Sequence, residues 1–203
     1  MNNLWCFGDS FTAGHGCTPE FEYCQKYKKE GDKLWCEYLG NILKMNVLNK
    51  GINGGSNDMI IDSVIDSFNK FNTGDIVIIE KTFNYRYDIP NLKQNNKWVS
   101  AHDIHYHSND YTKEQYDTIV NFSYHFANHN LYKDRQNKRI DFISNILQKS
   151  NIRVFIWDIK TDMKFYDRIK TDTNGLIDDA HLSFKGHFQF YQWMYNQINS
   201  IIN

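Results

Sequence analysis

Asp75-Ile76-Val77-Ile78-Ile79-Glu80 runs four apolar residues without a polar break between two carboxylates. The uninterrupted apolar centre reads as a strand buried on both faces, as in a parallel sheet covered by helices. Ile152-Arg153-Val154-Phe155-Ile156-Trp157-Asp158-Ile159 reads the same way. So does Leu4-Trp5-Cys6-Phe7, which ends at Gly8, and Met45–Leu48 is a fourth short strand before the glycine-rich stretch Asn49–Gly55. Helical periods fill the spaces between. Leu34, Trp35, Tyr38, Leu39, Ile42 and Leu43 follow Asp32, which offers a cap. Ile60, Ile61, Val64, Ile65 and Phe68 follow Ser56 and Asn57, either of which suits an N-cap. Residues 113–149 read as helix in two pieces broken near Asn128–Asn130, with Ile140, Ile143, Ile146 and Leu147 on the apolar face of the second. A last helix spans about Ser183 to Ile201, with Tyr191, Met194, Ile198 and Ile201 on one face.

Strands alternating with helices predict an α/β chain: a three-layer α/β/α sandwich on a mainly parallel sheet of four to five strands. The fifth strand is expected near Phe165–Ile169, within the otherwise polar 160–180 stretch. Residues 81–112 have no consistent period and read as a long loop. The expected organisation is one domain over 1–203 with a loop or helical insertion at about 85–130. Right-handed crossovers bring all strand carboxyl ends to one edge, where sites in such sheets form. Gly8–Ser10, Gly51–Ser56 and Thr82–Asn84 each follow a strand, so they should converge there.

The bulk numbers narrow the partners. With 203 residues the chain is long enough to bury roughly 70% of its unfolded surface without staples. Lys and Arg number 23 against 24 Asp and Glu, a formal net charge of -1. That balance gives no electrostatic footprint for nucleic acid or an anionic membrane. No apolar run approaches the ~18 residues of a membrane-spanning helix. Met1-Asn2-Asn3 lacks the basic start of a signal peptide, so the expected compartment is cytoplasmic. The abundance of Lys, Asn and Ile hints at an AT-rich genome, compatible with a viral origin. The four cysteines, Cys6, Cys17, Cys24 and Cys36, form no C-x-x-C pair. Cys6 reads as a small buried hydrophobe. A Cys17–Cys24 disulfide is the pairing the sequence leaves open.

Two stretches carry chemistry. Gly8-Asp9-Ser10 follows the first strand directly, and a nucleophilic serine needs such a tight turn to lift its hydroxyl above the sheet. Gly, Asp and Ser are also ordinary turn formers. Asp178-Asp179-Ala180-His181 lies just before the last helix. A serine hydroxyl is a poor nucleophile until an imidazole takes its proton. A carboxylate on the other ring nitrogen fixes the tautomer and stabilises the imidazolium. From spacing alone, Asp178 and Asp179 compete for that place, and a solvated histidine in a polar turn fits the same residues.

Gly8-Asp9-Ser10-Phe11-Thr12-Ala13-Gly14 resembles the first block of the SGNH hydrolases, or GDSL-type esterases. Their last block, Asp-x-x-His followed by Ser-x-x-Gly-His, is similar to Asp178-x-x-His181 and Ser183-Phe184-Lys185-Gly186-His187. Their second block, Asn-x-x-x-x-Gly at a strand end, is matched by Asn49-Lys50-Gly51-Ile52-Asn53-Gly54. The blocks occur in order over nearly the whole chain. The resemblance implies the family's flavodoxin-like fold and esterase activity. It implies Ser10 as nucleophile, His181 as base and Asp178 as its orienter, with no cofactor. It also implies an oxyanion hole from the backbone N–H groups of Ser10 and Gly54 and the side-chain amide of Asn84. The third block, usually Gly-x-Asn-Asp, departs: it reads Thr82-Phe83-Asn84-Tyr85, which keeps the asparagine and loses the glycine and the aspartate. The implied substrate is a small-molecule or glycan ester, O-acyl groups on carbohydrate among them.

Other features point elsewhere. His102, His105 and His107 lie close together, and His125 and His129 are four apart, but no nearby Cys or Glu completes a metal spacing. An exposed polar loop is the expectation there. Tyr85, Tyr87, Trp98, Tyr106 and Tyr111 suit either a cleft for sugar rings or plain packing. Gly51–Gly55 lacks the Lys-Ser/Thr pair of a phosphate loop. Two further readings remain at this level: a binding or structural protein, for example a virion component, that kept the fold without efficient catalysis, and a metal-dependent hydrolase built on the histidine-rich loop.

Overall fold

The structure is a computed structural model that describes residues 1–19, 28–90, 98–100, 104, 108–125, 129–163, 166, 168 and 181–202. In chain order the elements are β1 (Asn3–Gly8), α1 (Ser10–Ala13), α2 (Trp35–Leu43), β2 (Asn46–Gly51), α3 (Asn57–Asp66), a 3₁₀ turn at Phe68–Lys70 and β3 (Ile76–Lys81). Then come β4 (Asp88–Pro90), β5 (Trp98–Ser100), α4 (Lys113–His125), α5 (His129–Lys149), β6 (Arg153–Asp158), α6 (Ile159–Asp162) and α7 (Phe184–Ile202).

Four strands form a parallel sheet in the order β2-β1-β3-β6. Successive side chains on a strand point to opposite faces, and both faces here are covered. Leu4 and Cys6 of β1, Ile76 and Ile78 of β3, and Trp157 of β6 pack under Trp35 and Leu39 of α2 and Phe190, Met194 and Ile198 of α7. Trp5 and Phe7, with Val77 and Ile79, pack against Ile60, Ile61 and Val64 of α3 and Ile140, Ile143 and Leu147 of α5. The result is the three-layer α/β/α arrangement expected from the apolar runs. Each fully buried Leu or Ile contributes roughly 1.5–3 kcal/mol of transfer free energy, so the central strands are held from both sides.

The chain leaves β1 for β2 on one side, then returns across β1 to β3 and β6 on the other. The strand order therefore reverses around β1, and its carboxyl end opens at the switch point. At the opposite edge Asp75 anchors the sheet by accepting from Asn3 N (2.7 Å), Trp5 Nε1 (3.0 Å) and Asn72 N (3.1 Å). Burial pushes the Asp75 carboxyl up, but these hydrogen bonds outweigh it and hold it below its ordinary value.

Several expectations need correction. Asp32 does not cap α2; it accepts from Lys29 N (2.8 Å), and the helix starts at Trp35, with Glu37 Oε2 reaching back to Leu34 N (2.8 Å). Ser56, not Asn57, caps α3, accepting from Met59 N. Ile65 of that helix is exposed rather than part of the apolar face. β2 starts and ends later than the Met45–Leu48 run because, among the described residues, it pairs only with β1, so ladder bonds rather than apolar pattern set its length. Cys6 and Cys36 are buried free thiols, and Cys17 is buried as well; Cys24, the other half of the pairing the sequence leaves open, lies outside the described residues. Most of Phe165–Ile169 also lies outside them, and Arg168 forms an isolated antiparallel bridge with Leu182.

The 81–112 region contains an antiparallel pair, β4 with β5, rather than loop alone. Tyr111 seals it by donating to Pro90 O (3.0 Å), over a small satellite core of Ile104 and Tyr111. Among the described residues no helix is long and apolar enough to cross a membrane.

Candidate active site

β1 ends at Gly8 with almost no room beside it. A β-carbon there would lie 2.1 Å from Glu80 Oε2 and 2.2 Å from Thr12 Oγ1. The sheet register sets Gly8 opposite Gly51, where a β-carbon would lie 2.2 Å from the backbone nitrogen of Ala13. Both positions need glycine because α1 is pressed directly onto the strand ends. Asp9 caps α1, its Oδ1 accepting from Phe11 N (2.9 Å). Gly14 ends it in the left-handed region, at φ 81°. The chain turns sharply between β1 and α1, and Ser10 is the first helical residue, buried at the carboxyl edge.

His181 reaches this edge from the other end of the chain. Ser183 caps α7 by accepting from Gly186 N (3.1 Å), which fixes where the preceding residues stand. The Cys17 thiol donates to Leu182 O (3.4 Å), tying that segment to the loop after α1. The imidazole packs against Phe11 and His15, with ring centroids 4.8 and 4.4 Å away. Its Nε2 is 2.7 Å from Ser10 Oγ, a hydrogen bond closed across 171 residues of sequence. The serine and histidine singled out in the sequence thus meet, hydroxyl to imidazole. Asp178 and its competitor Asp179 lie outside the described residues.

Apart from Ser10, the donors expected for an oxyanion sit on two turns. Gly55 N donates to Ile52 O (2.9 Å), closing a turn in which Gly54 has φ 71°, a conformation that favours glycine. Asn84 sits inside a second turn, closed by Arg86 N donating to Phe83 O (3.2 Å). Contacts distant in sequence fasten that second turn. Asn57, buried at the start of α3, accepts from Thr82 N (2.8 Å) and donates to Thr82 O (3.1 Å) and Gln136 Oε1 (3.1 Å). Thr82 Oγ1 donates to Asp9 Oδ2 (2.5 Å), and Arg86 Nη1 pairs with the same oxygen (2.7 Å). The turn that carries Asn84 is therefore held by Asn57, Asp9 and Arg86. Its one sequence signal was the threonine in place of the glycine; the arginine two residues past the asparagine gave none.

Glu80 closes the floor. It is fully buried, and its Oε2 accepts from Asp9 N (3.1 Å) and Thr12 Oγ1 (2.6 Å). Burial, together with the negative charge of Asp9, pushes its carboxyl well above the usual range. The native state thus keeps a proton that the unfolded chain releases near the ordinary glutamate value of about 4.3. Stability contributed by that proton is complete below this value and declines as pH rises toward the folded value. Glu80→Gln keeps the acceptor and removes the ionisation. Relative to wild type, its stability is expected to be similar near pH 4 and to rise as pH increases above the ordinary glutamate value. Urea melts at a series of pH values check this, and parallel curves for the two proteins would refute it.

His187, the second histidine of the last block, is structural. Burial, reinforced by His181, pushes it down to about 3, so it is neutral. Its Nδ1 accepts from Trp35 N (3.4 Å), joining α7 to the start of α2.

His102, His105 and His107, and the side chains of His125 and His129, lie outside the described residues. Among the described residues no group of three metal-binding side chains assembles. Tyr87 is buried against Tyr132 at 4.4 Å between ring centroids, and Tyr111 is buried under the β4–β5 pair, so both pack rather than line a cleft. Tyr85 is exposed next to Asn84 and stacks on Phe83. Trp98 (its side chain) and Tyr106 lie outside the described residues.

No family model and no curated protein sequence matches the chain. Solved structures do. A carbohydrate acetylesterase from Sinorhizobium meliloti is 13% identical, covers 99% of this chain and 100% of its own, and has a TM-score of 0.45. The native aryl esterase of M. smegmatis is 13% identical over 98% of this chain and 99% of its own, TM-score 0.44. A member of the lipolytic protein G-D-S-L family from Veillonella parvula is 12% identical over 98% of each chain, TM-score 0.42. Along nearly its entire length, the chain is similar to solved esterases and G-D-S-L proteins.

Proposed function

We propose that the protein is a serine esterase of the SGNH type that cleaves carboxylic esters through an acyl-enzyme. The reading rests on the 2.7 Å contact between Ser10 Oγ and His181 Nε2. Ser10 Oγ attacks the ester carbonyl while His181 Nε2 takes its proton. The negative charge that develops on the carbonyl oxygen is met by the N–H groups of Ser10 and Gly54 and the Asn84 amide. His181 then protonates the leaving alcohol. Water, deprotonated by the same imidazole, attacks the acyl-serine, and the acid leaves as Ser10 regains its proton. Asp178 holds the imidazole from its other side, in the role the sequence resemblance gives it. Every step runs on side chains and backbone of this chain, with no cofactor. O-acyl groups on carbohydrate are the substrate class the resemblance favours.

An activity-based fluorophosphonate tests the assignment directly. Wild type is expected to be labelled at Ser10, with the modified peptide identified by mass spectrometry, and to hydrolyse p-nitrophenyl acetate equally well with and without chelator. Absence of labelling and of turnover in folded protein would overturn the reading; loss of turnover with chelator would favour a metal-dependent hydrolase.

A further inference from the structure

Arg86 touches each of the three loops that would surround an oxyanion. Its Nη1 lies 2.7 Å from Asp9 Oδ2, beside Ser10. The same nitrogen donates to Gly55 O (2.9 Å), beside Gly54, and to Thr82 Oγ1 (3.2 Å), two residues before Asn84. The guanidinium is almost wholly buried and lies over the Phe83 ring, 5.2 Å from its centroid. Its own backbone N–H closes the turn that carries Asn84. One end of that turn is thus fixed by Asn57 through both backbone groups of Thr82, and the other by Arg86 on Asp9.

We infer that Arg86 is the positioning residue of the oxyanion-binding loops, with its guanidinium setting the mutual spacing of the Ser10, Gly54 and Asn84 donors. This rests on the serine-esterase reading above and adds to it the device that replaces the missing glycine and aspartate of the third block. A guanidinium suits the task because it is permanently charged, and it can donate to a carboxylate and a carbonyl at once from a planar frame. Oxyanion donors act only when aimed at the charge of the transition state. A loss of aim therefore lowers kcat and leaves ground-state binding largely alone.

Arg86→Gln and Thr82→Val test this together. For each, kcat and KM on p-nitrophenyl acetate are measured alongside thermal melting and hydrogen exchange of residues 9–10, 54–55 and 82–86. The expected result for Arg86→Gln is a kcat about 10²-fold lower, KM within about threefold of wild type and an unmoved pH dependence of the rate. Thr82→Val, which loses one link, should fall less, by about tenfold. Exchange should quicken in all three loops at once, while the strands keep their protection. Arg86→Lys, which keeps the charge without the fork, should restore part of the rate. The inference is overturned if kcat is unchanged, if the loss appears in KM, if exchange quickens in only one loop, or if it quickens throughout the sheet. Because exchange needs no substrate, a wild type without Ser10-dependent turnover would refute the esterase reading while leaving the positioning claim to be decided by protection alone.

Discussion

Ser10→Ala and His181→Ala, made singly and together, are expected to lower kcat on p-nitrophenyl acetate by similar factors, roughly 10⁴–10⁶, and the double variant no further than the singles. The reason is chemical. A serine hydroxyl without its base is protonated and nearly inert, and a base without its nucleophile has only water to activate. With Nε2 and Oγ 2.7 Å apart in the resting protein, the two groups already stand within reach of the proton transfer the mechanism asks of them. Removing either removes the same step. A residual rate of about 10³ over water would remain in all three variants, because the oxyanion donors are untouched. The check is steady-state kinetics on protein whose folding is confirmed by melting. Losses that multiply in the double variant, or a His181→Ala protein that retains more than about a tenth of the rate, would mean that the hydrogen bond is structural.

The sheet was legible because both of its faces are buried. A strand with Leu4 and Cys6 on one side and Trp5 and Phe7 on the other cannot alternate polar and apolar, so its pattern announces parallel packing. The start of α2 was less legible. Asp32 has the right side chain for a cap, but the backbone turns at Lys29–Asp32 first, and the helix takes its N-terminal bond from Glu37 instead. Ser10 and His181 were singled out by the ordered blocks of the resemblance, because each local pattern alone, a strand-end turn and a polar turn before a helix, also fits a bland reading. Their partners were not. Asp9 meets Arg86 across 77 residues and Thr82 across 73, and Asn57 meets Gln136 across 79. Such contacts depend on how β1 and β3 register and on which helix covers them, and no window of sequence contains both partners. Glu80 gave a partial signal, a carboxylate closing an apolar strand. Sequence alone does not tell a solvated strand end from a buried acid beneath a turn.

The Asp9–Arg86 pair also makes a large stability effect predictable. Asp9 is fully buried, and Arg86 is nearly so. Asp9→Ala leaves a guanidinium charge in the interior with its counterion gone, a loss of about 3–5 kcal/mol. For a domain of this size that lowers Tm by roughly 6–20 °C. Adding Arg86→Met to Asp9→Ala removes the stranded charge and substitutes apolar packing, which is often neutral for a buried pair. The double variant should therefore recover much of the stability. About 1–3 kcal/mol would remain lost, because Phe11 N and the Thr82 hydroxyl still lack their acceptor. Catalysis should not recover with it, since the guanidinium link among the Asp9, Gly55 and Thr82 loops is then gone. A double variant that is folded yet slow separates the two roles of the pair. If the double variant is instead less stable than Asp9→Ala alone, the stranded charge is not what the single substitution costs, and the ion pair is not what holds these loops together.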